Sequence, residues 1–332
     1  MGIKIKLEVL CDILKLQLFS KRTPIAVRWQ LTYKCPLRCM YCDIWKNNDV
    51  PELETKQILP LLDEMKECGV KKISFSGGEP MLRKDIDKII DHCLSDGISP
   101  EINSTGFLVP QKINQLKNLH LLKLSLDGPK EIHDLVRGKA GSYDTVMRAA
   151  ESAAANGIKF IFTATLTKFN INEVEFLLDL AEKFNTFAAF QPLKKRYSAS
   201  AGETVEGLYP CEEEYKNALK KLISSKKSGK GRMRNSLQGL LHIYNWPNYE
   251  KLDCNAGKLF CMIEPSGILS PCDRLKYNRP LPNCAELGFK KSFNSLPGIQ
   301  CDGCGFCGSL ELNYLASFKW GIIPTLNKIM ER

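Results

Sequence analysis

The stretch Cys35-Pro-Leu-Arg-Cys39-Met-Tyr41-Cys42 follows the apolar, β-like run Ala26 to Leu31, and its reading decides the fold. A cubane [4Fe–4S] cluster has four irons and takes cysteine thiolates as its normal ligands. Three thiolates from one short loop would leave the fourth iron open to a small molecule. A zinc knuckle is the competing reading. Zinc takes four ligands, commonly as separated CxxC pairs, and no fourth ligand lies nearby in the sequence.

A second motif, Ser76-Gly77-Gly78-Glu79-Pro80, follows the β-like run Val70 to Phe75. Paired glycines let a backbone approach its neighbour closely, and the proline fixes the turn. Taken alone, this is a strand-to-helix turn. Placed one βα unit after CxxxCxxC, with the aromatic Tyr41 before the third cysteine, it resembles the radical S-adenosylmethionine (radical SAM) superfamily. The resemblance implies an open iron that chelates the amino and carboxylate groups of SAM. It further implies an electron from the cluster that cleaves the sulfonium, giving methionine and a 5′-deoxyadenosyl radical that takes a substrate hydrogen. It assigns Cys35, Cys39 and Cys42 to the metal, assigns Gly77, Gly78, Glu79 and Pro80 to SAM, and calls for a reductant such as flavodoxin or ferredoxin.

Outward from these motifs, short β-branched or aromatic runs alternate with helical patterns, which argues for parallel βα architecture. Strands are expected at Ala26–Leu31, Lys72–Phe75, Ser99–Asn103, Leu121–Leu126, Lys159–Leu166 and Phe187–Leu193. Helices are expected at Lys56–Glu67, Lys84–Ser95, Gln111–Lys117, Tyr143–Asn156 and Glu173–Phe184. The fold class is α/β, and the resemblance implies a partial (β/α)6 TIM-like barrel with its site at the C-terminal strand ends. Asn103 and Ser104 end the third strand, and Ser125-Leu-Asp127-Gly128 ends the fourth. The run from Ser125 through His133-Asp134 to Arg137 is similar to the SxDG…HD…R pattern of the branch that includes molybdopterin-precursor cyclases and peptide maturases. That likeness places Ser125 and Arg137 near the SAM ribose and carboxylate. Arg83 competes for the carboxylate, because a bidentate guanidinium fits one well.

The last third opens at Cys254, followed by Cys261 and by Gly267-Ile-Leu-Ser-Pro-Cys272. This resembles the auxiliary-cluster region called SPASM, or twitch in its shorter form, in which Cys-x(9–15)-Gly-x(4)-Cys begins the ligand set. Cys284, Cys301, Cys304 and Cys307 would complete it. The late run is shorter than the family's, so one auxiliary [4Fe–4S] cluster is expected, with Cys254 and Cys272 as its surest ligands. A structural zinc site is the alternative. The expected division is an amphipathic helix (1–24), the barrel (25–195), a linker with helices (196–250), the small C-terminal cysteine-rich auxiliary cluster domain (251–310) and a C-terminal helix (311–332).

Composition bounds the function. The chain has 332 residues, 44% of them hydrophobic and 25% charged, enough for one large domain and a smaller one. Fourteen cysteines without a signal sequence suggest metal in a reducing cytoplasm rather than disulfides. The net charge of +10 concentrates at Lys194-Lys195-Arg196 and between Lys226 and Arg234. No aromatic platform is interleaved there, so these read as solvated loops and no nucleic acid is expected. Leu7, Leu10, Leu14 and Leu18 recur at helical spacing, either in a helix packed on the main domain or in a peripheral membrane or partner helix. Leu310 to Ile329 is a second interfacial candidate. Two classes of function follow: a SAM-dependent radical enzyme acting on a peptide, lipid-like molecule or small metabolite, and a non-catalytic iron–sulfur carrier. The Gly-Gly-Glu-Pro turn and the Ser125 to Arg137 run favour the enzyme.

Overall fold

The computed structural model describes residues 3–193, 205–275, 277–299, 301 and 304–317. Six parallel strands, β1 (Ala26–Thr32), β2 (Lys72–Gly77), β3 (Ser99–Ser104), β4 (Leu121–Ser125), β5 (Phe160–Leu166) and β6 (Phe187–Pro192), pair in chain order. On the other side of β1, β7 (Phe260–Ile263) adds in parallel, and β8 (Leu269–Ser270) pairs antiparallel with it. The sheet is open, as a partial barrel requires.

Helices cover one face of this sheet because their apolar residues fall at three- and four-residue spacing. Ile58, Leu61, Leu62 and Met65 on α2 (Thr55–Glu67) are buried, as are Ile86, Ile89, Ile90 and Cys93 on α3 (Ile86–Ser95). They meet Val27, Trp29, Ile73, Phe75 and Ile102 in one apolar cluster. The strands alternate, and their other face is polar. Lys72, Ser74 and Ser76, then Glu101 and Asn103, then Lys123 and Ser125 all line a cavity on the concave side of the sheet. Barrel interiors of this kind are commonly filled with branched apolar side chains. Here the interior keeps a space of about 410 Å³ in which these charged and polar groups stand among apolar ones.

The βα rhythm matches the expectation with small boundary shifts, but Gln111–Lys117 contains only a short 3-10 turn at Ile113–Leu116. A helix that the strand-and-helix reading missed, Lys130–Arg137, carries the His133…Arg137 motif and ends at Gly138 in the left-handed conformation. Two further helices, Glu212–Lys227 and Leu237–Tyr244, fall in the stretch expected to be a linker with helices. They bury Tyr215, Leu219, Leu222 and Leu240 in the main core. Lys194-Lys195-Arg196 and residues 318–332 lie outside the described residues. Among the described residues, no helix is long and apolar enough to cross a membrane.

Candidate radical site

The loop bearing Cys35, Cys39 and Cys42 leaves the C-terminal end of β1 and is pinned from two sides. On one side, the N–H of Arg38 donates to the Arg137 carbonyl (3.3 Å), and that of Met40 donates to the Val136 carbonyl (2.9 Å). On the other, Gly78 N–H donates to Thr32 O and Glu79 N–H to Lys34 O, each at 2.8 Å. A Cβ on Gly78 would stand 2.1 Å from the Lys34 carbonyl oxygen, and one on Gly77 would stand 2.2 Å from that of Thr32. The paired glycines therefore serve a backbone-to-backbone contact that fixes where the cysteine loop begins.

Glu79 is fully buried. Its carboxylate accepts from Met81 N (3.0 Å), Ser104 Oγ (3.1 Å), Thr105 N (2.6 Å) and Thr105 Oγ1 (2.5 Å), which ties the Gly-Gly turn to the end of β3. Burial raises its pKa, against these donors. Gly77, Gly78, Asn103, Ser104, Ser125 and Arg137 line the cavity, whereas Glu79, Pro80 and Arg83 stand outside the lining. Arg83 is held by Asp85 at 2.7 Å and by the Leu31 carbonyl. Of the two arginines that competed for a carboxylate, Arg137 is the one at the cavity wall.

Arg137 is held by Asp127 (2.7 Å), and its guanidinium lies 3.9 Å from the Cys39 sulfur and over the Tyr41 ring. Asp127 also accepts from Tyr41 Oη (3.3 Å) and from the Thr165 N–H (3.1 Å). His133 Nδ1 accepts from the Asp127 N–H (3.1 Å). Burial, followed by the adjacent Arg137 cation, lowers the His133 pKa to about 4. Asp134 instead accepts from Gly141 N, Ser142 Oγ and Tyr143 N, fastening the start of the next helix. Most of the motif after Ser125 thus positions Arg137 rather than facing the cavity.

Burial pushes the Cys35 thiol up to about 12, and pushes that of Cys39 to about 11 against the lowering effect of Arg137. Thiolates here need a cation beside them. Among the described residues, no three cysteine sulfurs lie within 4.8 Å of one another. Four thiolates around one zinc would stand roughly 3.8 Å apart, given about 2.3 Å per Zn–S bond. The group that does converge, Asp63, His92 and Asp96, is an ion-pair network with Lys66 on the helical face.

Cys272, Cys304 and Cys307 line the same cavity. Cys304 interacts electrostatically with Cys254, Cys272 and Cys307, and Cys301 does so with Cys254. Cys307 Sγ donates to the Phe190 carbonyl (2.7 Å). The structure does not bring Cys261 and Cys284 into this group. Both are buried in the main apolar core, and Cys261 neighbours Cys284 and Cys68 there. β7 turns Cys261 to the face shared by Val27, its partner on β1.

Sequence reasoning missed the charged groups of the interior. Lys123 Nζ lies 2.7 Å from Glu101, and Lys72 Nζ lies 3.8 Å from it. Arg28 bonds Ser76 Oγ (3.1 Å) and Asp273 (3.2 Å), and its guanidinium and that of Arg274 both lie over the Phe306 ring. The available signal was a charged residue at alternating positions within short central strands.

Residues 29–181 match the Radical SAM superfamily. Mycofactocin maturase MftC of Mycobacterium ulcerans is 26% identical over 307 residues, which cover 87% of this chain and 81% of that protein. Fe-coproporphyrin III synthase of Methanosarcina barkeri is 32% identical over 173 residues, which cover 50% of this chain and 43% of that protein. The crystal structure of Streptococcus suis SuiB bound to S-adenosylmethionine has a TM-score of 0.66 at 18% identity, covering 83% of this chain and 67% of that one. The chain carries a radical SAM domain over residues 29–181, followed by a cysteine-rich C-terminal region.

Two outcomes test this geometry. Gly78→Ala forces the turn off the Lys34 carbonyl, so the anaerobically reconstituted variant should hold about four fewer irons than the wild type. An unchanged iron content would contradict the pinned-loop account. His133 is neutral in the fold, and an unfolded histidine titrates near 6.5, so unfolding takes up a proton between these values. Stability should be full above pH 6.5 and decline as pH falls toward 4, by about 3 kcal/mol at most. A His133→Gln variant, followed by denaturant melts across this range, should lack that component.

Proposed function

We propose that this enzyme cleaves SAM at the Cys35/Cys39/Cys42 loop and uses the resulting radical on a polar substrate held in the barrel interior. The carrying observation is that both cysteine groups line one cavity: Cys35, Cys39 and Cys42 from the first loop, and Cys272, Cys304 and Cys307 from the C-terminal region. A bound cluster at the first loop supplies the electron that cleaves the sulfonium. Arg137 receives the SAM carboxylate, while Gly77 and Gly78 border its amine and Asn103, Ser104 and Ser125 its ribose side. Glu79 acts by holding Ser104 and Thr105 in place. One auxiliary cluster on Cys254, Cys272, Cys301 and Cys304 assists electron transfer or substrate binding, with Cys307 beside it. The pairing of two such centres favours an enzyme over a carrier, since transfer alone needs no pocket between them.

The interior also bears on the substrate. Burial works to raise the Glu101 carboxyl, but Lys123 and Lys72 outweigh it and hold it down at about 2. Burial lowers the Lys123 ammonium, and Glu101 offsets this only in part. Two cations, Lys72 and Lys123, thus share the one carboxylate of Glu101. Such a floor suits a substrate that brings its own anionic group, and it disfavours a hydrocarbon chain. A peptide segment meets this requirement. MftC is named a maturase, and SuiB has been seen bound to its precursor peptide SuiA. A small acidic metabolite is the second reading, supported by the same floor.

In the reduced protein, Cys39→Ala should abolish 5′-deoxyadenosine formation from SAM, whereas Cys272→Ala should retain uncoupled cleavage, because only the former removes a ligand from the cluster that injects the electron. Equal loss in both variants, each shown to be folded, would argue against separate roles. Wild-type protein that never makes 5′-deoxyadenosine would favour the carrier.

A further inference from the structure

The N-terminal helix α1 (Ile3–Phe19) is apolar on two sides. Val9, Ile13 and Leu16 are buried and pack with Ile25, Leu259 and Ala316. The leucines picked out by helical spacing point elsewhere: Leu7 is 57% exposed, Leu10 36%, Leu14 38% and Leu18 70%, and Phe19 is 76% exposed. Spacings of three, four and four residues align the leucines along one side of the helix. Monomers rarely keep so continuous an apolar strip in water without a use for it.

Charge selects among the partners that could cover this strip. Residues 1–22 contain Lys4, Lys6, Lys15, Lys21 and Arg22 against Glu8 and Asp12. Glu8 is engaged by Lys71 at 2.6 Å, and the buried Asp12 is engaged by Lys15 at 3.0 Å. A second copy meeting strip to strip about a two-fold axis would oppose this basic segment to itself. A layer of anionic headgroups complements it instead. We propose that the exposed side of α1 docks the enzyme on an anionic phospholipid surface, with Leu7, Leu10, Leu14, Leu18 and Phe19 entering the boundary between headgroups and acyl chains.

The fold then determines what the bilayer is for. Ile25 and Leu259, against which α1 packs, immediately precede the parallel strands β1 and β7. The helix therefore sits toward the N-terminal ends of the strands, while the loop of Cys35, Cys39 and Cys42 leaves the C-terminal end of β1. Docking leaves the cysteine end of the cavity turned away from the lipid. The surface is an anchor rather than the source of the substrate, in keeping with the charged groups Lys72, Glu101 and Lys123 in the interior.

The test is co-sedimentation of the full-length, cluster-loaded enzyme with phosphatidylcholine vesicles, with and without phosphatidylglycerol. The wild type should pellet with the anionic vesicles, much less with phosphatidylcholine alone, and less as salt is added. A Leu14→Glu/Leu18→Glu double variant should lower the vesicle-bound fraction at least about tenfold, with its melting temperature and SAM cleavage retained. Wild type left in the supernatant with anionic vesicles would overturn the proposal, as would a folded double variant that pellets like the wild type. Sedimentation velocity supplies the other decisive outcome: a wild-type dimer that the double variant cannot form would assign the strip to a second copy of the chain.

Discussion

The buried ion pair between Arg137 and Asp127, at 2.7 Å, is the constraint on which the rest of the site depends. Taking both charges out of water is costly, and their attraction offsets that cost only if the remaining lone pairs and protons are satisfied. The Asp127 carboxylate is satisfied by parts of the chain distant in sequence, Tyr41 from the cysteine loop and the backbone of Thr165 on β5, while Asn170 fixes the Asp127 backbone through its carbonyl at 2.8 Å. The pair therefore welds the first loop to the fourth and fifth strand ends. Removing either partner would strand the other charge, at a cost of about 3–5 kcal/mol. A hydrophobic replacement of both could fold, but it would leave no cation beside Cys39. The pair's position, 3.9 Å from that sulfur, is better explained by the site than by stability.

A second constraint comes from the division of the sheet into two faces. The convex face is packed in the ordinary way, with Ile73, Phe75, Leu122 and Leu124 under the helices. The concave face holds Lys72, Glu101 and Lys123 where a closed barrel would hold aliphatic groups. Leaving the sheet open at β6 removes the need to fill that space. Part of the wall then comes from the later chain, which brings Cys272, Asp273, Arg274 and Phe306 to the cavity that the first cysteine loop also lines.

Much of this was legible in the sequence because the signals were local. The CxxxCxxC loop, the Gly-Gly turn and the alternation of strands and helices each act over a few residues, and the six strands fall close to where periodicity placed them. What escaped was set by tertiary context. Nothing local says that Glu79 turns inward to Ser104 and Thr105, or that Arg83 is held by Asp85. Cysteine spacing grouped Cys261 and Cys284 with their neighbours in the chain, but the strand pairing of β7 with β1 sends Cys261 to the apolar side. Helical spacing found the strip on α1, yet two apolar sides were available and the sequence did not say which one packs.

The central claim is that two separate cysteine groups hold clusters around one cavity and that only the first meets SAM. Electron paramagnetic resonance of the anaerobically reduced protein, recorded with and without SAM, tests it most directly. The account predicts two cluster signals, of which one changes when SAM is added and disappears in a Cys35/Cys39/Cys42→Ala variant while the other persists. Signals indifferent to SAM, or a triple variant that keeps both, would contradict it.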